Sequence, residues 1–233
     1  MNIAIMTARS GSKSVPQKNI RMLGPLPLLG WGISALSKST KIDKIILSTD
    51  SEKYFEIGKS INSEIIFHKR SPELAEDVPS ELIILDVVEK FKELFNKDSV
   101  IVLIQPTTPF ISNSDIDECV RYLETYLNLN TCISVKVVSE HPEWMITKFK
   151  EHQGTIDDFS GKKGVRQELP TRWVPNGGIY AIRTEFLLNN KKIIDNNTLI
   201  HEMPTLQSID IDEEDDFILC ETLVKSGMFS PIT

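Results

Sequence analysis

The chain has 233 residues, 40% of them apolar and 25% charged, with 11 Gly and 12 Pro. That composition excludes a disordered, low-complexity or collagen-like protein and suits one globular domain with a sizeable core. Its 33 acidic side chains outnumber the 26 basic ones, and the formal charge of −7 argues against nucleic acid or an anionic membrane as a partner. The longest purely apolar run, Val100–Ile104, falls far short of the roughly 20 residues that a membrane-spanning helix needs. The first eight residues have no basic segment ahead of their apolar ones, so no signal peptide is expected. Cys119, Cys132 and Cys220 are widely spaced, form no C-x-x-C pair, and read as reduced, buried thiols of a cytoplasmic protein. The first 42 residues hold six basic side chains (Arg9, Lys13, Lys18, Arg21, Lys38, Lys41) and no acidic one, so this end of the chain is built to face an anion.

Residues 2–7 form an apolar run that stops at the small, polar stretch 8–14, the pattern of a buried strand entering a loop. Pro27 suits the first turn of a helix over 28–39, and a strand over 44–48, a helix over 51–61 and a strand near 64–68 follow. Ile84, Val88, Phe91 and Phe95 recur at helical spacing and predict a helix over 80–95, ahead of the apolar strand 100–104. Beyond the turn Pro106-Thr107-Thr108-Pro109 the pattern gives a helix over 114–127 and a strand over 131–138. Strands that alternate with helices and are apolar throughout predict an α/β fold, a mostly parallel sheet covered on both faces. Residues 144–150 and 154–167 are polar and weakly periodic, and read as an arm inserted at about 139–174. Strands over 178–183 and 207–211 and a helix over 213–226 then resume the fold, and no repeat or long linker divides the chain.

The strongest local signal is Ala8-Arg9-Ser10-Gly11-Ser12-Lys13-Ser14-Val15-Pro16-Gln17-Lys18-Asn19. At the carboxyl end of a first strand, the backbone N–H groups of small residues such as Ser10, Gly11 and Ser12 can wrap phosphates while Arg9, Lys13 and Lys18 neutralise them. The segment is neither a Walker loop nor a G-x-G-x-x-G turn, since Ser12 precedes Lys13 and Gly11 is the lone glycine. Taken alone it reads equally as a solvated basic loop. The second signal is Ser208-Ile209-Asp210-Ile211-Asp212, whose alternation predicts two carboxylates on one face of a strand, roughly 7 Å apart. Such a pair suits Mg²⁺ already held by phosphates. Asp212 also fits a helix cap, whereas Asp210 is too far from the helix for that.

These segments together resemble the acylneuraminate cytidylyltransferases, which make CMP-activated sialic acids and related nine-carbon acidic sugars. The resemblance also includes Ile46-Leu47-Ser48-Thr49-Asp50, Arg70-Ser71-Pro72-Glu73-Leu74-Ala75, Leu103-Ile104-Gln105-Pro106-Thr107-Thr108-Pro109, Arg166-Gln167-Glu168-Leu169-Pro170 and Pro175-Asn176-Gly177-Gly178-Ile179-Tyr180, all in order. It implies a Rossmann-like nucleotide-diphospho-sugar transferase fold and transfer of CMP from CTP with release of pyrophosphate. By that resemblance Arg9, Ser12, Lys13 and Lys18 handle the CTP phosphates, with Lys18 near the α-phosphate. Asn19, Arg70 and Ser80 lie around cytosine and ribose, Gln105 contacts the sugar, and Asp210 with Asp212 holds Mg²⁺. The resemblance also implies a homodimer, in which the arm carries Arg166 into the partner's site. Trp144 reads either as sugar-facing or as arm core.

Three positions depart from the family pattern. Ser14 replaces a glycine, Ile111 stands where arginine is frequent, and Val174 stands where a basic residue commonly precedes Pro-Asn-Gly. The phosphate chemistry is therefore expected intact and the sugar recognition altered. The rival readings are a cytidylyltransferase for an eight-carbon acidic sugar, a non-catalytic nucleotide-binding relative, and a nicotinamide oxidoreductase using Asp50. The eight-carbon enzymes' loop runs straight into Gly-Lys-Pro-Leu, whereas this chain has Gln17-Lys18-Asn19-Ile20-Arg21 first, and the oxidoreductase lacks its glycine fingerprint.

Overall fold

The computed structural model describes residues 1–12, 14–156 and 169–232. Its first strand, β1 (Ile3–Thr7), buries Ile3, Ala4, Ile5 and Met6 completely. A strand apolar on both faces belongs inside a sheet, and β1 lies between two parallel neighbours. A loop and one 3-10 turn, Lys18–Ile20, lead into a hairpin of β2 (Met22–Leu23) and β3 (Leu26–Pro27). The hairpin reverses at Gly24, whose φ of +61° favours glycine. Helix α1 (Leu28–Lys38) follows, with Pro27 just outside it and paired to Met22 instead of sitting in its first turn.

Next come β4 (Lys44–Thr49), α2 (Glu52–Ile61), β5 (Ile66–Lys69), α3 (Pro72–Ala75), α4 (Ser80–Lys90), β6 (Val100–Ile104), α5 (Asn113–Thr125) and β7 (Thr131–Val137). The Ser51 hydroxyl caps α2 by accepting from the Tyr54 N–H, and Ser112 with Asp115 forms a capping box on α5. Helix α4 stops at Lys90, short of the predicted 95, and a 3-10 turn at Lys92–Leu94 takes its place. The hairpin β8 (Ile146–Lys150) and β9 (Gln153–Ile156) stands apart from the main sheet, with β8 exposed along its length. The chain returns through β10 (Trp173–Arg183), α6 (Thr184–Asn190), β11 (Leu199–Glu202) and α7 (Glu214–Lys225).

Seven strands form the main sheet in the order β11-β7-β10-β6-β1-β4-β5. Every pairing is parallel except those of β10, which runs antiparallel to β6 and β7. Alternate residues of the central strands feed opposite faces: Ala4, Met6, Leu47 and Val102 pack with Leu29, Ile33 and Ile116, while Ile3, Ile5, Ile46 and Ile101 pack with Ile84, Val87 and Phe186. The expected α/β architecture with helices on both faces is what the chain forms.

Residues 207–211 are not a strand. Ser208 and Ile211 are both buried, three positions apart, and the Ser208 N–H turns back onto the Pro204 and Thr205 carbonyls. Ile211 is buried against Phe217, Leu28 and Phe110, so its apolar character serves a helix-lined cluster and not the sheet. The strand in that part of the sheet is β11, at its edge, which the sequence pattern did not predict. The β2–β3 hairpin and α6 were also unpredicted, and β10 begins five residues earlier than expected.

Candidate active site

The chain runs outward from β1 to β4 and β5 on one side and then crosses to β6 on the other, which leaves a crevice beyond the carboxyl ends of β1 and β6. A cavity of about 360 Å³ opens there. Four stretches of sequence line it: Thr7, Arg9, Ser12, Ser14, Lys18 and Asn19 after β1; Arg70, Glu76, Asp77, Val78 and Ile83 after β5; Gln105, Pro106 and Thr107 after β6; and Asp210 with Asp212 ahead of α7. Eight of the predicted site residues thus meet: Arg9, Ser12, Lys18, Asn19, Arg70, Gln105, Asp210 and Asp212.

Ser10, Gly11, Ser80 and Trp144 do not line this cavity. Ser10 instead fixes the loop, its N–H and hydroxyl donating to the two Asp50 carboxylate oxygens at 2.8 and 2.5 Å. Ser80 opens α4, and the neighbouring Val78 and Ile83 reach the cavity in its place. Trp144 lies in the arm, 45% exposed, with its ring beside His141. Lys13 and Arg166 lie outside the described residues.

Lys18 is buried because the 3-10 turn directs its stem inward, and its ammonium donates to the Ile211 carbonyl at 2.5 Å. The same ammonium is 4.0 Å from Asp212. Ser14 donates its hydroxyl to the Asp212 carbonyl, so the position that departs from the family glycine ties the loop to the acidic segment. Arg9 pairs with Asp77 at 2.7 Å, a contact the sequence reading missed because nothing local relates residues 68 positions apart. Arg70 is 6% exposed, and burial lowers its pKa to about 10, opposed by Asp50. Ile111, the second departure, is core: its side chain is buried and packs against the Gly178 backbone.

The acidic pair survives the loss of its predicted strand. Asp210 packs against Gly177, whose φ is +76° and where a Cβ would approach the Asp210 Oδ2 to 2.9 Å, so only glycine leaves room for the carboxylate. Burial raises the Asp210 pKa, and nearby Asp212 adds to the rise against a hydrogen bond from Thr107 and the charges of Lys18 and Lys136. The Asp212 side chain is 80% exposed. It does not cap α7, because Glu213 and Asp216 form that capping box.

Three buried side-chain polar atoms lack a hydrogen-bond partner among the described residues, and two of them, Asn19 Oδ1 and Asp210 Oδ1, belong to cavity-lining residues. The Asn19 amide cannot be turned around to relieve this, since its Nδ2 donates to the Arg9 carbonyl at 2.9 Å. Buried acceptors left open by the described residues of a polar cavity suit a further donor or a cation. Asp210 Oδ1 is an anionic oxygen of the kind that a hard divalent cation takes, so the residues present fit Mg²⁺. No group of three acidic, histidine or cysteine side chains able to hold a metal occurs among the described residues.

Residues 3–149 match the family model described as Cytidylyltransferase. The chain belongs to the cytidylyltransferase family. As a member of it, the chain is similar to an N-acylneuraminate cytidylyltransferase of Streptococcus agalactiae serotype V, 32% identical over 93% of this chain and 51% of the relative. It is also 29% identical to a CMP-N,N'-diacetyllegionaminic acid synthase of Legionella pneumophila, over 96% of each. The chain spans about half the length of the first curated relatives it matches. A solved CMP:2-keto-3-deoxy-manno-octonic acid synthetase complexed with CTP aligns over 97% of this chain and all of its own, with a TM-score of 0.71 at 14% identity. That likeness establishes a shared fold, the Rossmann-like nucleotidyltransferase fold expected from the motifs. No helix among the described residues is long and apolar enough to cross a membrane.

Proposed function

We propose that the chain transfers CMP from CTP to the anomeric hydroxyl of a sialic-acid-like nine-carbon acidic sugar and releases pyrophosphate. The observation that carries this reading is the cavity at the switch point of a cytidylyltransferase-family sheet, where Arg9, Lys18 and Arg70 converge with the carboxylates of Asp210 and Asp212 and the open acceptor of Asn19. The sugar oxygen forms a bond to the α-phosphorus as the bond from that phosphorus to the β-phosphate oxygen breaks, and the hydroxyl proton is lost. Such a displacement needs positioning and charge stabilisation more than covalent help. Arg9 and Lys18 hold the triphosphate, with the buried ammonium of Lys18 at the α-phosphate. Ser12 and Lys13 complete the phosphate grip, on a loop that Ser10 fixes through Asp50. Asn19 and Arg70 orient the nucleoside with Ser80 nearby, and Gln105 faces the sugar.

Asp210 and Asp212 would hold Mg²⁺, which when bound neutralises phosphate charge and makes the sugar hydroxyl easier to ionise. The arm at about 139–174 pairs two chains into a homodimer and carries Arg166 to the partner's site, with Trp144 either facing the sugar or packed in the arm. Exposed Ile146, Phe149 and Trp173 on the arm and its return strand support that pairing, since the described residues leave them in large part uncovered. The product belongs to cytoplasmic supply of activated sugars for surface glycans. The test is pyrophosphate release with CTP, Mg²⁺ and a panel of nine-carbon acidic sugars, with the eight-carbon acid as comparison. Turnover with a nine-carbon acid supports the reading. Turnover with the eight-carbon acid alone replaces it with the rival sugar, and no turnover with any of them overturns it.

A further inference from the structure

Behind Arg70 lies a buried polar chain that the cavity itself does not explain. Arg70 Nε donates to the Ser48 hydroxyl and its NH2 group to the Ser48 carbonyl, both at 3.0 Å. The Ser48 hydroxyl is 2.9 Å from His68 Nδ1, and His68 Nε2 is 2.8 Å from Asp86 Oδ2. Lys90 donates to the same Asp86 oxygen at 2.9 Å. Ser48 and His68 are buried, and Asp86 and Lys90 sit at the outer end on α4.

With a neutral imidazole the chemistry allows one direction of donation, because Asp86 accepts only and so takes the Nε2 proton, which leaves Nδ1 an acceptor. A guanidinium only donates, so the Ser48 oxygen accepts from Arg70 and has a single proton to give. That proton goes to His68 Nδ1, which places the imidazole's own proton on Nε2, facing Asp86. We propose that His68 is a positioning residue, which sets the Ser48 hydroxyl and through it the plane of the Arg70 guanidinium in the nucleotide cavity. This inference rests on the reading of that cavity as a CTP site. Groups from each neighbouring element bear on the imidazole: Asp86, Lys90 and the edge-on ring of Phe91 on or just past α4, Ser48 on β4, and Arg70 beyond β5. Burial, with Lys90 adding to it, lowers the His68 pKa, so the neutral ring that the chain requires prevails near neutrality. Protonation makes Nδ1 a donor and reverses the one hydrogen bond between Ser48 and His68.

The experiment measures CTP affinity by calorimetry in Mg²⁺, alongside the melting temperature of the free protein, for wild type, Ser48→Ala, His68→Leu, His68→Asn and Asp86→Asn. Ser48→Ala and His68→Leu each weaken CTP about fivefold to tenfold, the scale of one or two buried hydrogen bonds. The double variant is no weaker than either single one, because both break the same chain. His68→Asn, which keeps an acceptor near the Nδ1 position, returns to within about threefold of wild type, and it loses less affinity than wild type on acidification below neutrality. A purely structural histidine lowers the melting temperature and leaves affinity unchanged. Wild-type affinity in folded His68→Leu and Ser48→Ala overturns the proposal alone. If His68→Leu does not fold, wild-type affinity in Ser48→Ala and Asp86→Asn overturns it equally. A wild type that binds no CTP overturns the reading of the cavity, and the proposal with it.

Discussion

Lys18 shows how a single side chain joins structure and chemistry. Its burial means that removing it does more than subtract a charge, because the Ile211 carbonyl loses its donor. Lys18→Met, which keeps the apolar stem, should lower kcat by about a hundredfold or more and cost about 1–3 kcal/mol of stability. Steady-state turnover and urea unfolding check both, and near-normal turnover removes Lys18 from the mechanism. Asp210 makes the opposite bargain. Its carboxylate is buried with an unpartnered oxygen and a raised pKa, so the folded metal-free protein binds the proton more tightly than the unfolded chain does. The metal-free protein should therefore lose stability as pH rises from the unfolded Asp value through the higher folded one. Asp210→Asn should abolish that loss while shifting the Mg²⁺ dependence of turnover to higher concentration, as Asp212→Asn also should. Melting curves across that pH range without metal, and Mg²⁺ titrations of activity, decide it. An unchanged titration in both variants removes them as metal ligands.

Among the elements, Asp115 fastens three pieces at once. It closes the capping box of α5, accepts from His201 of β11 at 2.9 Å, and accepts from Gln207 at 2.5 Å just ahead of the acidic segment. Burial opposes its charge, but the hydrogen bonds from His201 and Ser112 win and hold its pKa below the ordinary carboxylate value. Asp115→Ala should cost about 2 kcal/mol or more, above an ordinary cap loss because two tertiary bonds go with it. A cost within the range of a surface substitution by thermal or urea unfolding would contradict that role. The same region shows why some elements escaped the sequence. Strands β1 and β6 are continuous apolar runs and declare themselves, and α5 has a serine cap and a clear apolar face. Strand β11, Leu-Ile-His-Glu, is four residues on an edge, too short for a period and half exposed. Residues 208–212 show the alternation of a strand, but Ile211 answers to Phe217 and Phe110, contacts no local pattern displays.

Across the whole molecule, the loop after β1, the Arg70 segment after β5 and the Gln105 turn after β6 were legible because each is a contiguous motif at one strand end. The partners that tune them, Asp77 for Arg9 and His68 for Arg70 through Ser48, were not, since folding alone brings them together. Binding of CTP to the native state should raise the melting temperature more than ATP or GTP does at equal concentration, and equal shifts would contradict a cytosine-reading site. Assembly gives a further check. If two chains exchange arms, Arg166→Ala and Asp212→Ala are each inactive alone, but refolding them together should restore about a quarter of wild-type sites. Mixed dimers confirmed by mass with no recovery would place Arg166 in its own subunit's site or outside any.

The cavity is closed by contacts between the two ends of the sequence: Ser14 and Lys18 reach the carbonyls of Asp212 and Ile211, 198 and 193 residues on, and the Ile211 N–H bonds Thr107. Synthesis delivers these parts at opposite times. A nascent chain that has emerged through α6 has β1, β4, β5, β6, β7 and β10 to pair, yet the wall that holds Asp210 and Asp212 is still unmade. Capture of a ligand that needs both walls therefore comes after the strands of the parallel core have been made. It acts only on a chain whose sheet already exists, as a latch on the last segment to arrive.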